Sequence, residues 1–212
     1  MNVDALARWY RWIEYLAFGR ALERARFQFL GELRGARRIL VFGEGDGRAL
    51  ERILAIAPEA KVDVIELSAE MIALARQRIG INAGRVEFHR VDARTNPWPS
   101  GMYDAVVMNF FLDCFCESEA ELLTQKALAK TNPNGIWLVT DFAIPEAGWR
   151  RWHALIYVTV MYSFFRATTG LQTQLLPDIN RLLRSAGLSR LDVVVSRGGL
   201  IRAESWSIYG GR

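Results

Sequence analysis

The sequence predicts an α/β protein. It reads as a doubly wound sheet of about seven strands, mostly parallel, with helices on both faces and an antiparallel hairpin at the C-terminal end. Three observations carry that reading. Short apolar runs of strand length alternate with stretches of helical period. The first apolar run ends in a glycine-rich turn, Gly43-Glu44-Gly45-Asp46-Gly47. The next two runs each end at an acid, Glu66 and Asp92.

Taken in order, residues 4–34 read as helical, with Leu6, Trp9, Ile13 and Leu16 at helical spacing, then Phe27, Leu30 and Leu33. Ile39 to Phe42 is a buried strand. The helix after the glycine turn carries Leu50, Ile53, Leu54 and Ala57 on one face and stops at Pro58. Val62 to Ile65 is the second strand, and a helix over 69–79 follows. Val86 to Val91 is the third strand. A loop, Thr95 to Gly101, leads to the fourth, Tyr103 to Asn109. A helix over 118–130 ends before the turn signal Asn132-Pro133-Asn134-Gly135. Ile136 to Thr140 is the fifth strand, ending in Asp141. An aromatic helical stretch over 147–169 comes next, then a helix over 177–186 between Pro177 and Gly187. Strands near 190–196 and 203–209, joined by Arg197-Gly198-Gly199-Leu200, read as the hairpin.

A chain of 212 residues fits one domain with its own core. With 51% hydrophobic and 24% charged residues it is not a disordered or low-complexity chain. Two cysteines, Cys114 and Cys116, cannot build a disulfide framework or a zinc site. They fit a reducing cytoplasm and read as small buried hydrophobes. No metal site is expected. The net charge of +4 is unevenly spread: residues 1–38 and 146–212 are basic and 39–145 acidic. Arginines are mixed with acids throughout, with no basic tract, so a nucleic-acid partner is not expected. Asp4, Arg8 and Arg11 precede any apolar run, so no secretory leader is expected. The longest apolar run, Ala154 to Phe165, is too short to span a bilayer, which takes about 20 residues.

Glycines let a backbone approach a ligand closely, and in such sheets ligands sit beyond the carboxyl ends of the strands. A strand before the turn, a helix after it and Glu66 at the end of the next strand make this a cofactor signal. The carboxylate of Glu66 can accept both hydroxyls of a ribose. The spacing Gly43-x-Gly45-x-Gly47 departs from the dinucleotide pattern, although Ala49 keeps a loose match to it. Glu44 and Asp46 would repel a pyrophosphate and suit a cofactor with a cationic end.

In these residues the sequence resembles the class I S-adenosylmethionine-dependent methyltransferases, which have a Rossmann-like fold. The resemblance runs over about residues 36–142. It is carried by Leu40 to Gly47, by Val64-Ile65-Glu66-Leu67-Ser68 with Met71, and by Val91-Asp92-Ala93. Tyr103 to Met108 and Pro133 to Val139 complete it. The layout is similar to that of quinone-biosynthesis methyltransferases. It implies S-adenosylmethionine as cofactor and a small-molecule methyl acceptor. Gly43, Gly45 and Gly47 would pass under the methionine part, and Glu66 would hold the ribose. Ser68 and Met71 would lie near the adenine, Asp92 would meet its amine with Ala93 beside it, and Asn109 and Phe110 would flank the sulfonium. The family often has an acid two residues before the first glycine. Val41 stands there in this chain, so Glu44 or Asp46 is expected to compensate the methionine ammonium. The Asn-Pro-Pro-Tyr motif of methyltransferases acting on DNA amines is absent after Asn109.

The residues leave several readings open. Ser68 caps the 69–79 helix, and Met71 suits a core position. His89 reads as structural. Asp113, His153 and Tyr157 are the candidates for a general base, and Asp113 equally suits a helix cap. Residues 1–34 form an expected helical lid and 145–187 an expected substrate-covering insertion, rich in aromatics. The favoured acceptor is a small hydrophobic or aromatic molecule. A phospholipid head group is a second acceptor class, reached by weak contact of the basic N-terminal helix with a membrane surface. A nicotinamide-dependent oxidoreductase and a non-catalytic binding protein are the remaining alternatives.

Overall fold

The computed structural model describes residues 19–95, 97–145, 148, 152, 155 and 176–208. The strands are β1 (Arg38–Phe42), β2 (Lys61–Glu66), β3 (Val86–Arg90), β4 (Tyr103–Asn109), β5 (Thr131–Phe142), β6 (Ser189–Ser196) and β7 (Ile201–Ser207). They form one sheet in the order β3-β2-β1-β4-β5-β7-β6. β1 to β5 pair in parallel, and β7 is antiparallel to both β5 and β6, so β7 alone runs against the rest. The chain reverses from β1 outward on either side, which opens a crevice beyond the carboxyl ends of β1 and β4.

The described helices are α1 (Ala21–Phe27), α2 (Arg48–Ile56), α3 (Ala69–Ile79), α4 (Glu117–Leu128) and α5 (Ile179–Ser185). They cover both faces of the sheet, which is why the central strands read as unbroken apolar runs. On one face Ile39, Val41, Val62, Val64 and Val107 pack with Leu50, Ile53 and Leu54 of α2 and Ile79 of α3. On the other, Leu40, Phe42, Ile65, Val106, Met108, Trp137 and Trp206 pack with Leu123 of α4 and Leu183 of α5. Within the described residues the β3–β4 connection holds no helix. Trp98 takes that place. It is buried, packs edge-on against Phe42 with centroids 5.0 Å apart, and donates its indole N–H to Ala93 O at 2.8 Å.

The turn signal at Asn132–Gly135 is not a clean stop before the fifth strand. β5 begins at Thr131, and its register with β4 slips from Tyr103↔Thr131 to Ala105↔Ile136. The surplus residues bulge out of the ladder, and Asp104 anchors the bulge by accepting from Asn132 Nδ2 at 2.7 Å. The C-terminal hairpin turns through Arg197, Gly198 and Gly199, all with positive φ. No described helix is long and apolar enough to cross a membrane.

Candidate active site

The glycine turn leaves β1 and enters α2 with Gly43, Gly45 and Gly47 at φ 59°, 68° and 86°. A side chain is strained at each. A Cβ on Gly43 would meet the Phe111 ring at 2.9 Å, and one on Gly47 would meet Ala75 Cα at 2.7 Å. A Cβ on Gly45 would meet nothing within 4 Å. Gly43 and Gly47 therefore draw the turn against the body, and Gly45 leaves its outer side open. Next to that opening, at the end of β2, Glu66 accepts from Gly45 N–H at 3.3 Å and Ser68 N–H at 2.9 Å. Both oxygens are thereby held in place beside the open turn.

The acids inside the turn are committed elsewhere. Glu44 Oε1 accepts from Leu50 N–H at 2.7 Å, at the start of α2. Burial pushes its carboxyl up to about 8, against the pull of that hydrogen bond and of the Arg26 charge. Asp46 Oδ2 is paired with Arg48 at 2.9 Å and Arg78 at 3.1 Å. Of the two expected partners for an ammonium, Asp46 already has its counter-charges, and Glu44 is hydrogen-bonded at the start of α2 with the Arg26 charge acting on it.

After β2, Ser68 Oγ accepts from Met71 N–H at 3.2 Å and caps α3. Met71 is buried and Leu67 exposed. Asp92, beyond β3, is gripped by Arg94, whose Nε and Nη2 lie 3.0 and 2.7 Å from its two oxygens. The Arg94 hydrogen bonds hold the Asp92 carboxyl below its ordinary range. An adenine amine would share this carboxylate with the guanidinium. Ala93 is buried and gives its carbonyl to Trp98.

At the end of β4 the backbone is forced. Phe110 has φ 52°, and its N–H donates to Thr140 O at 2.6 Å. The ring lands 5.0 Å from that of Phe142 and under the guanidinium of Arg26. A non-glycine residue at positive φ costs about 1–3 kcal/mol and often marks a site. Asn109 Nδ2 is buried with no hydrogen-bond partner, and so is Asp141 Oδ2 at the end of β5. An open cradle at Gly45, an anchored strand-end carboxylate and buried polar atoms lacking partners make a site fitted to a ribose-bearing, cationic cofactor.

Residues 39–135 match the family described as "Methyltransferase domain". The demethylmenaquinone methyltransferase of Thermus thermophilus is 31% identical over 135 residues, which cover 63% of this chain and 60% of that protein. The ubiquinone/menaquinone biosynthesis C-methyltransferase of Stutzerimonas stutzeri is 32% identical over 127 residues, covering 56% and 48%. Residues 39–135 are a class I methyltransferase domain. An O-methyltransferase family 2 protein from Planctomyces limnophilus, solved with apigenin, shares the fold at TM-score 0.74 and 15% identity, over 99% of this chain and 62% of that one. The chain thus spans 60% or less of the length of the two curated relatives.

On this methyltransferase domain the expected cofactor residues gather at one end of the sheet, around the first glycine turn. Asp113 joins them: it is buried in the 3-10 turn Leu112–Cys114 just past β4. His153 and Tyr157 lie outside the described residues. Cys114 and Cys116 are exposed, not buried. The 3-10 turn sends Leu112 and Asp113 inward and leaves Cys114 outward. His89 is hydrogen-bonded to Asp63, with Nε2 2.9 Å from Oδ1, away from the site. Asp141 was not among the expected site residues. Its signal in the sequence is the one that marked Glu66 and Asp92, an acid closing an apolar strand.

Proposed function

We propose that this chain transfers a methyl group from S-adenosylmethionine to a small, hydrophobic or aromatic acceptor by in-line displacement. The observation that carries the reading is the pairing of the open turn at Gly45 with the Glu66 carboxylate fixed beside it. When bound, S-adenosylmethionine supplies an electrophilic methyl on a cationic sulfur. Glu66 would hold the ribose hydroxyls, and Glu44 would balance the methionine ammonium. Ser68, Met71, Asp92 and Ala93 would border the adenine. Asn109 and Phe110 would fix the reacting end, with Phe111 and Phe142 helping to exclude water. Asp113 is the described candidate to take the acceptor's proton. The names of the Thermus and Stutzerimonas relatives support a quinol-like acceptor.

Calorimetric titration with S-adenosylmethionine, S-adenosylhomocysteine and NADH tests the cofactor side. Binding of the first two without NADH is the expected result; binding of NADH alone would replace the proposal. A screen of phenols and quinols with methyl-labelled cofactor then identifies the acceptor.

A further inference from the structure

A buried acceptor and a buried donor stand on neighbouring strands, and neither has a partner. Asp141, near the end of β5, is 4% exposed. Its Oδ1 accepts from Phe111 N–H at 3.1 Å, and its Oδ2 has no hydrogen-bond partner. Arg202 is its register partner on β7, and side chains directly opposed in an antiparallel pair share a face. Arg202 Nη2 is bonded to Glu204 Oε1 at 2.9 Å, while its Nε–H is buried and without a partner. Each unmet group costs free energy, and native interiors keep few of them.

Phe111 ties this pair to the glycine turn. Its backbone N–H holds Asp141, and its ring is what a Cβ on Gly43 would meet at 2.9 Å. The Arg202 side chain is 30% exposed, and side chains of that kind commonly shift as a ligand enters. The charges narrow what the ligand can be. Glu204 accepts from Arg190 Nη1 at 3.1 Å as well as from Arg202, so the Arg202 charge is compensated. A carboxylate on the ligand would face Asp141, and an ammonium would face Arg202. A neutral oxygen avoids both faults. It accepts from Nε–H and shares a proton with Oδ2 in either direction: a hydroxyl donates to an ionised Asp141, and a keto oxygen accepts from a protonated one. Burial, then the Asp113 charge, push the Asp141 carboxyl well above its ordinary range, which makes the second direction available.

We propose that Asp141 Oδ2 and Arg202 Nε together bind one neutral oxygen substituent, hydroxyl or keto, of an aromatic methyl acceptor. The proposal rests on the methyltransferase reading above and deepens it, because it names two residues that select the acceptor. Phe111, which holds Asp141 in place, is a positioning residue. An analogue lacking the oxygen leaves both buried atoms unmet, and a site built to hydrogen-bond a substrate oxygen rejects such an analogue.

Calorimetry on the whole chain saturated with S-adenosylhomocysteine tests this with three probes of similar size: 1-naphthol, 1-tetralone and naphthalene. The better of the two oxygen-bearing probes should bind about tenfold more tightly than naphthalene, or better. Equal affinities would mean that water alone meets the two atoms, and overturn the proposal; so would binding of none of the three. Arg202→Lys keeps the charge beside Glu204 and removes the Nε donor. It should cut the preference to about threefold or less, with the affinities for naphthalene and S-adenosylhomocysteine unmoved; an intact preference overturns the assignment. Asp141→Leu should cut the preference likewise, with circular dichroism as the check of its fold. If that variant does not fold, Arg202→Lys still decides. S-adenosylhomocysteine alone separates the two readings. If wild type does not bind it, the methyltransferase reading falls. If wild type binds it and does not tell the three probes apart, only the oxygen site falls.

Discussion

The two ends of the sheet each bury a carboxylate, and they treat it in opposite ways. Towards the amino ends of the strands, Asp63 on β2 is 6% exposed and fully engaged. Its Oδ2 receives Arg38 Nη2 and the Tyr103 hydroxyl, each at 2.9 Å, and its Oδ1 lies 2.9 Å from His89 Nε2. At the carboxyl ends Asp141 is equally buried, yet one of its oxygens finds no donor. A satisfied buried acid ties strands together, whereas an unsatisfied one costs free energy and persists where something else uses it. The difference sets these two acids apart more sharply than burial or charge alone.

The sharpest way to break that contrast is Asp63→Ala. It strands the Tyr103 hydroxyl and the Arg38 guanidinium, and should cost about 3 kcal/mol of stability in urea titration. S-adenosylhomocysteine affinity should stay put; a large loss of affinity would show that the scaffold end feeds the site. Glu66→Gln should do the reverse. It weakens two charge-assisted hydrogen bonds and should cost about 2 kcal/mol of cofactor affinity by calorimetry, with little change in the unfolding midpoint.

Glu44 offers a test through pH. Its carboxyl stands near 8 in the folded protein, and a bound ammonium favours the ionised form. Affinity should therefore rise by about tenfold from pH 6.5 to 8, with a proton released on binding, and Glu44→Gln should flatten the rise. The stability effect has the opposite sign. The folded state holds this proton more tightly than the unfolded chain, so Glu44 costs nothing below the ordinary range. Its penalty grows as the pH climbs towards about 8, and stays constant above. The smallest expected effect is on Cys114. Loss of hydration at the sulfur, then the neighbouring Asp113 and Asp141 charges, push its thiol up, so alkylation at pH 8 should be slow although the residue as a whole is exposed. Asp113→Asn should speed it, and mass spectrometry of the labelled peptide reads the change.

Much of this contrast is hidden in the sequence for a physical reason. Gly43, Gly45, Gly47 and Glu66 are legible because the turn and the strand end are local arrangements. Asp46 is less so: its partner Arg78 comes from the far end of α3. Asp92 reads as free for a ligand, and only the folded chain shows Arg94 wrapped around it. Trp98 reads as a loop residue, because nothing in its neighbours announces that the loop must plug a face without a helix.

The sequence by itself determined the order of strands and helices, the glycine turn, the strand-end acids and the terminal hairpin. Each depends on periodicity or backbone freedom within a few residues. The tertiary structure alone decided which buried acids have donors. Asp63 finds Arg38, His89 and Tyr103 on three other strands, at sequence distances of 25, 26 and 40 residues. Asp141, at the end of β5, feels the charge of Asp113, in the turn past β4. Such meetings are fixed by strand order and register, which long-range packing selects, and no local pattern encodes them.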